Sequence, residues 1–190
     1  MPIPLGVLAV AGAGAAGGGG AYDLLETTVL GSDTASITFS SLGSYSAYKH
    51  LQIRFIGRIS SATTNSGNLR IQFNSDTGSN YADHTLNGTG SAVSSSANTS
   101  VVGIGVRDCL PGNNNSSGIF GAAVIDLLDF NSGLKNKTTK ALAGAYGGEI
   151  DVLLSSGVWL NTNAITSITL LDAGATNFVT GTRASLYGMA

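Results

Sequence analysis

The chain has 190 residues, of which only 11% are charged, and its formal net charge is −2 at pH 7. An average soluble domain is about 25% charged. Here Ser, Thr, Asn and Gly supply the polar groups instead, as in β-rich proteins and in proteins that bury surface against neighbours. The acidic balance argues against nucleic-acid binding, which needs a basic stripe, and the single cysteine rules out an intrachain disulfide and a Cys-based zinc site.

Residues 1–21 are predicted to form an apolar, Ala/Gly-rich anchoring arm, followed by a single domain over residues 22–190. A secretory signal needs a basic start, but the first basic residue is Lys49. The apolar stretch Ile3–Val10 is too short to span a bilayer and the glycines after it weaken any helix, so membrane insertion is not expected. The residues expected to dock into a larger assembly are Pro2, Ile3, Pro4, Leu5, Val7, Leu8 and Val10.

From Tyr22 onward, apolar residues recur with the period of two that is typical of half-buried strands. In Lys49–Ile59, for example, Leu51, Ile53 and Phe55 share one face. The predicted strands are Leu24–Leu30, Ser36–Phe39, Lys49–Ile59, Asn68–Asn74, Val101–Val106, Ile119–Phe130, Thr138–Tyr146, Ile150–Ser155, Ala164–Leu171 and Ala184–Met189.

Asn-, Ser- and Gly-rich segments between these strands are predicted to be loops, the longest being Asn74–Thr99 and Pro111–Gly118. No segment carries a convincing helical periodicity. Many short strands joined by polar turns predict an all-β fold, an antiparallel β-sandwich, and we expect a jelly roll.

Residues that could support catalysis are few. The two histidines, His50 and His84, have no G-x-S-x-G motif to work with. Asp126 and Asp129 fall on opposite sides of a regular strand. Glu149 and Asp151, in GEIDV, lie at a strand start, a common place for solvated charge. The sequence therefore predicts no enzyme activity, no catalytic residues, no metal and no cofactor.

The segment Asn74–Asn80 has oxygen-bearing side chains at alternate positions, which loosely resembles a calcium loop, but the closing Glu is absent. A tight turn is the favoured interpretation. Trp159 and Tyr81 suggest a sugar-stacking platform, although packing in the core is the favoured role for Trp159. The candidate glycan contacts are therefore Asp76, Asn80, Tyr81 and Trp159.

Phrases along the whole domain are similar to those of a known group of proteins. They are YDLLETTVL at Tyr22, ITFSSLGSY at Ile37, YKHLQIRF at Tyr48, IQFNSDTGSNYADHTLNGTG at Ile71, FGAAVIDLLDF at Phe120, GVWLNTNAITSITLL at Gly157 and ATNFVTGTRASLYGM at Ala175. Together with the Pro-containing apolar arm, they resemble uncharacterised virion structural proteins, capsid- or tail-associated, of tailed bacteriophages of the marine and cyanophage type.

The resemblance implies a capsid- or tail-attached β module and brings no catalytic residues with it. The expected function is that of a fibre, spike or decoration subunit, made in the host bacterial cytoplasm, located in the virion, bound to other virion proteins and homo-oligomeric, with a trimer favoured. The alternative is a carbohydrate-binding adhesin that recognises a host-surface glycan through its polar loops. A glycan depolymerase is the third and least favoured hypothesis.

Overall fold

A computed structural model describes residues 21–62, 66–147 and 149–190, and of residues 147–151 no side chain is described. Most of its strands alternate buried and more exposed side chains, as the sequence pattern predicts. They are β1 (Asp23–Val29), β2 (Ser36–Phe39), β3 (His50–Gly57), β4 (Ser66–Phe73), β5 (Tyr81–Gly88), β6 (Val93–Val101), β7 (Ile104–Pro111), β8 (Gly121–Leu128), β9 (Lys137–Gly147), β10 (Glu149–Trp159), β11 (Ile168–Asp172) and β12 (Arg183–Met189). One 3₁₀ turn, Leu42–Tyr45, follows β2.

The strands form two antiparallel sheets packed as a sandwich, which confirms the predicted fold class. The large sheet has eight strands in the order β1-β12-β3-β8-β9-β10-β5-β6, and the small sheet has four in the order β2-β11-β4-β7. Strand β7 of the small sheet lies against β9 and β10 of the large one. The long hairpins β5–β6 and β9–β10 extend the large sheet to one side.

The core lies between the inner faces of the two sheets. Leu51, Ile53 and Phe55 of β3 are buried there, as their alternation predicts. From the small sheet, β4 contributes Leu69, Ile71 and Phe73, while Arg70 and Gln72 point away from the core.

One predicted loop is wrong. Most of the segment Asn74–Thr99 forms the hairpin β5–β6, in which Leu86 pairs with Ser95 and Gly88 with Val93. Strand β5 escaped detection because two of its inward positions, Asp83 and Thr85, are polar, although both are buried. Strand β6 is rich in Ser and Asn and has no buried side chain, so hydrophobic periodicity gives it no signal.

The loop after β7 is held by the buried guanidinium of Arg58. Its Nη1 donates to the carbonyl oxygens of Ser116 at 3.0 Å and Ile119 at 3.1 Å, and its Nη2 donates to that of Asn115 at 2.9 Å. A planar group with five donors suits such a set of carbonyls. This part of the segment Pro111–Gly118 is a loop, as predicted, but it is an ordered one.

Candidate functional site

A row of aliphatic side chains crosses the outer face of the large sheet, the face that points away from the core. Val124 of β8 pairs with Leu142 of β9, Leu142 pairs with Leu154 of β10, and Leu154 pairs with Leu86 of β5. These four side chains are 40%, 57%, 47% and 48% exposed. Since paired residues on one face lie side by side, the four form a continuous stripe across four strands.

A second row lies beside the first and is flatter. It crosses the strands parallel to the first row, from β3 to β6, through Ile56, Ala122, Gly144, Val152, Gly88 and Val93. Ile56, Val152 and Val93 are 50%, 63% and 76% exposed. We call the two rows together the aliphatic face, defined by Ile56, Leu86, Val93, Val124, Leu142, Val152 and Leu154.

The local sequence explains why this face forms. In β8 and β10 the inward residues Ile125 and Leu153 are fully buried, yet the residues next to them, which point outward, are also aliphatic. An antiparallel sheet with one solvated face normally alternates apolar with polar residues. Here both alternating positions are apolar, so the centre of the large sheet presents two apolar faces, and the core covers only one.

A polar and aromatic network borders the aliphatic face on the side of β3 and β12. The guanidinium of Arg54 lies over the rings of Tyr187, at 4.6 Å from its centroid, and Tyr22, at 5.5 Å. The Nε of Arg54 donates to Gln52, whose Nε2 donates to Oδ1 of Asp126 at 2.8 Å. Arg and Tyr are the residue types enriched where proteins bind one another.

A concavity of about 550 Å³ opens at the opposite margin of the face, over β9, β10 and hairpin β5–β6. Leu86 and Leu154 line it together with His84, Lys140 and Ser156. Lys140 forms no ion pair with any described residue. The face therefore has an aliphatic centre, a border of both charge signs and a recess at one margin.

The four candidate glycan contacts do come together, but as a structural cluster. The rings of Tyr81 and Trp159 stack at 6.2 Å between centroids and are 0% and 1% exposed. No ring face is open to a sugar, so the sugar-stacking platform is wrong and the packing role favoured for Trp159 is confirmed. Asp76 and Asn80 lie at the surface end of the cluster, and glycan contact by these two residues stays a prediction.

Asp76 organises the turn Asn74–Asn80, as the turn interpretation predicts. Its Oδ2 accepts from Nε1 of Trp159 at 2.7 Å, and its Oδ1 accepts from the backbone N–H of Gly78 at 2.8 Å. The Nδ2 of Asn80 donates to the same carboxylate. These bonds, the one from Trp159 first, lower the pKa of Asp76. The carboxylate is engaged within the turn, and no metal-binding group of three His, Cys, Asp or Glu side chains occurs among the described residues.

Three side chains of types that serve in catalysis, those of His50, Asp129 and Cys109, are bonded within the fold or buried. Nδ1 of His50 accepts a hydrogen bond from the backbone N–H of Asp129 at 3.0 Å. The carboxylate of Asp129 pairs with Lys135, which lowers its pKa. Cys109 is fully buried, and burial raises the pKa of its thiol to about 12, so the thiolate does not form at neutral pH. The side chains of Glu149 and Asp151 are not described.

The predicted docking residues of the arm, from Pro2 to Val10, lie outside the described residues. In the part of the chain that the structure describes, no helix is long and apolar enough to cross a membrane. The aliphatic face was not predicted as a site. Its signal was present in VIDLL, ALAG and VLLSS, where apolar residues occupy both alternating positions.

Comparison with known proteins adds no family. No family model matches the chain, and no curated protein or solved structure matches it significantly. The resemblance to phage virion proteins therefore remains a prediction that rests on the sequence phrases alone.

Proposed function

We propose that the protein is a non-enzymatic structural subunit of a bacteriophage virion, a fibre, spike or decoration module whose copies associate through the aliphatic face. The aliphatic face is the observation that carries this proposal. Soluble monomers rarely expose a contiguous apolar patch of more than a few hundred Å². The phage context comes from the sequence resemblance, and attachment to the particle is assigned to the arm.

A second copy of the chain is the occupant that this face fits best. The face is uncharged at its centre, and Arg54, Asp126 and Lys140 give its border both charge signs. A surface that carries both signs can meet its own copy without net repulsion, and the net charge of −2 keeps long-range repulsion small. Symmetric homo-oligomers reuse one patch in every subunit, and we favour three copies around one axis.

The size of the outer face supports the same occupant. With strands about 4.8 Å apart and same-face residues about 7 Å apart, the aliphatic face, with six strands and two rows, covers on the order of 400 Å². The whole outer face of eight strands, with its polar border as a third row, covers on the order of 800 Å². A stable interface takes roughly 800 Å² from each partner. Its aliphatic centre, with Arg and Tyr at one border, has the composition of such interfaces.

The strand order supports the jelly-roll part of the proposal. When hairpins β5–β6 and β9–β10 are set aside, the sheets reduce to β1-β12-β3-β8 and β2-β11-β4-β7. Eight strands are then divided equally between two sheets, as in a jelly roll. The two hairpins are additions that widen one sheet, and they contribute Leu86, Val93, Leu142, Val152 and Leu154 to the aliphatic face.

The mass of the full-length protein in solution tests the association. Sedimentation velocity should give a species of about three times 19.1 kDa, and Leu142→Glu should shift it to the monomer because a buried unpaired charge is costly. Thr38→Glu introduces the same charge on the outer face of the small sheet and should leave the mass unchanged. A monomeric wild-type protein at micromolar concentration would refute the proposed interface.

Particle incorporation tests the phage context separately. Deletion of residues 1–20 should leave a folded, soluble domain that no longer joins particles, because the proposed anchor is gone. Normal incorporation of the truncated protein would contradict the anchoring role.

A carbohydrate-binding adhesin of the same virion is the second candidate function, and an arginine-lined groove beside hairpin β5–β6 is the observation that favours it. For a depolymerase, the third hypothesis, incubation with host polysaccharide followed by a reducing-end assay is the direct test, and we expect no product.

A further inference from the structure

A second recess, away from the aliphatic face, lies where the small sheet meets hairpin β5–β6. It has a volume of about 420 Å³, within the range of small-molecule sites. Arg70 of β4 and Arg107 of β7 line it, with Asn68, Asn98 and Asp83. We call this recess the arginine groove.

The two arginines bring positive charge that the protein itself does not use. Both side chains are partly buried, and neither forms an ion pair or hydrogen bond with any described residue. Asp83 is the acidic residue of the groove, but both of its oxygens are engaged. Its Oδ1 accepts from Nδ2 of Asn98 at 2.7 Å, and its Oδ2 accepts from the backbone N–H of Gly105 at 2.9 Å.

Two glycines keep the groove open. A Cβ at Gly103 would lie 2.7 Å from Cγ of Arg70 and 2.9 Å from the carbonyl oxygen of Ile71. A Cβ at Gly105 would lie 3.1 Å from Oδ2 of Asp83. The aliphatic stem of Arg70 thus rests over Gly103, and this contact holds the charged end of the side chain at the groove. This packing favours glycine both at Gly103, just before β7, and at Gly105 within it.

We propose that the arginine groove binds the carboxylate of an acidic sugar. Guanidinium groups are planar donors that match a carboxylate in a two-bond geometry. Two arginines and one aspartate give the groove a net charge of +1, which suits a singly charged carboxylate better than a doubly charged phosphate. The amide of Asn68, whose Oδ1 accepts from the N–H of Asp108, keeps its two donors for sugar hydroxyls.

This inference goes beyond assembly and gives the adhesin candidate a defined site. The groove belongs to a single copy and shares no residue with the aliphatic face. A failure of sugar binding therefore leaves the proposed association untouched, and a monomeric protein could still bind the sugar.

Calorimetric titration of the full-length protein with galacturonic acid, which carries one carboxylate, tests the proposal, with its methyl ester as the uncharged control and inorganic phosphate as the rival anion. We expect the acid to bind and the ester and phosphate to bind at least about tenfold more weakly. Equal binding of acid and ester, or preference for phosphate, would overturn the assignment to an acidic sugar.

Variants assign the binding to the groove. Arg107→Gln should weaken binding of the acid by about tenfold or more, and Arg70→Gln should do the same. Arg183→Gln removes the same charge from the large sheet and should bind like the wild type. Arg70→Lys keeps the positive charge and much of the aliphatic stem but lacks the planar guanidinium. It should therefore bind the acid weakly and have the same melting temperature as the wild type, which shows that the loss of binding is not a loss of fold. If all variants bound equally, the groove would not be the site.

Discussion

The two sheets share one core, yet their outer faces differ in kind. The outer face of the large sheet carries Val124, Leu142 and Leu154 in adjacent strands, whereas the corresponding face of the small sheet carries Thr38 beside Thr169 and then Gln72. The small sheet follows the ordinary rule that an uncovered face is polar. The large sheet departs from this rule, and that departure is why we propose that copies of the chain cover it.

The difference also separates two kinds of polar group. On the small sheet, polar side chains bond to one another, as Thr38 does to Thr169 at 3.1 Å, or line a recess, as Arg70 does. On the large sheet, the network of Arg54, Gln52 and Asp126 is confined to the border of the aliphatic face. We therefore propose association for the outer face of the large sheet, and contact with solvent and small ligands for that of the small sheet.

The largest effect is expected when the aliphatic face is made polar, like the outer face of the small sheet. Leu142→Lys combined with Leu154→Lys should raise the dissociation constant of the oligomer by about 1,000-fold, because each buried Leu contributes about 2 kcal/mol and every 1.4 kcal/mol is tenfold. Sedimentation velocity across a concentration series measures this effect. The free energy of unfolding of the monomer should change by only about 0.5 kcal/mol, since both side chains are exposed in the single chain.

The same double change on the small sheet is the control. Thr38→Lys with Thr169→Lys should leave the oligomer intact. If both double variants dissociated equally, general repulsion would explain the result and the contrast between the faces would have no functional meaning.

An added methyl group beside β4 of the small sheet tests stability without changing the aliphatic face. Gly103→Ala should lower the free energy of unfolding by about 2 kcal/mol, because its Cβ meets the Ile71 carbonyl oxygen and the Arg70 stem in a packed region. Gly133→Ala, where nothing lies within 4 Å of the new Cβ, should change stability by less than about 0.5 kcal/mol. Urea denaturation measures both, and the association of Gly103→Ala should match the wild type.

The sequence predicted the strands whose inward residues are apolar. Strands β3 and β4 were found because Leu51, Ile53, Leu69 and Ile71 recur at every second position. Strand β6 was missed because its pairing with β5 holds it in place, and none of its own side chains is buried. Periodicity reports burial, so a strand without burial leaves no trace in it.

The candidate site was predicted less well, for a related reason. Leu142 and Leu154 were read as ordinary strand residues, since alternation alone does not say which face of a strand the core covers. The exposure of both residues on one face follows only from the strand register, which places them side by side in one row. Trp159 is the opposite case, a residue that the sequence suggests for sugar stacking but that the fold places in the core. Its neighbours Phe73 and Tyr81 bury it.

The turn Asn74–Asn80 connects β4 of the small sheet to β5 of the large one. A change in this turn therefore tests how the two sheets are held together. Trp159→Phe keeps the ring buried but removes the donor to Asp76. We expect a loss of about 1.5 kcal/mol in the free energy of unfolding at neutral pH, the usual contribution of a hydrogen bond to a charged group. Chemical denaturation measures it.

The pH dependence of that loss has a defined sign. The pKa of Asp76 is lowered in the folded chain, so its contribution is complete above the ordinary pKa of 3.8 and disappears as the pH falls through the lowered value. Wild-type stability should therefore fall more steeply below about pH 4 than that of Trp159→Phe. Parallel pH profiles for the two proteins would show that the Trp159 bond does not hold the carboxylate ionised.

The smallest expected effect comes from Val152, at the margin of the aliphatic face. Val152→Thr preserves the shape of the side chain but replaces one methyl group with a hydroxyl, which would have to leave water on association. We expect a cost of about 1 kcal/mol, a roughly fivefold weaker oligomer, and no change in monomer stability because Val152 is 63% exposed. Thr38→Val makes the reverse change on the small sheet and should not strengthen association. A Val152→Thr oligomer as tight as the wild type would place the margin of the interface inside Val152 and restrict contact to the row from Val124 to Leu86.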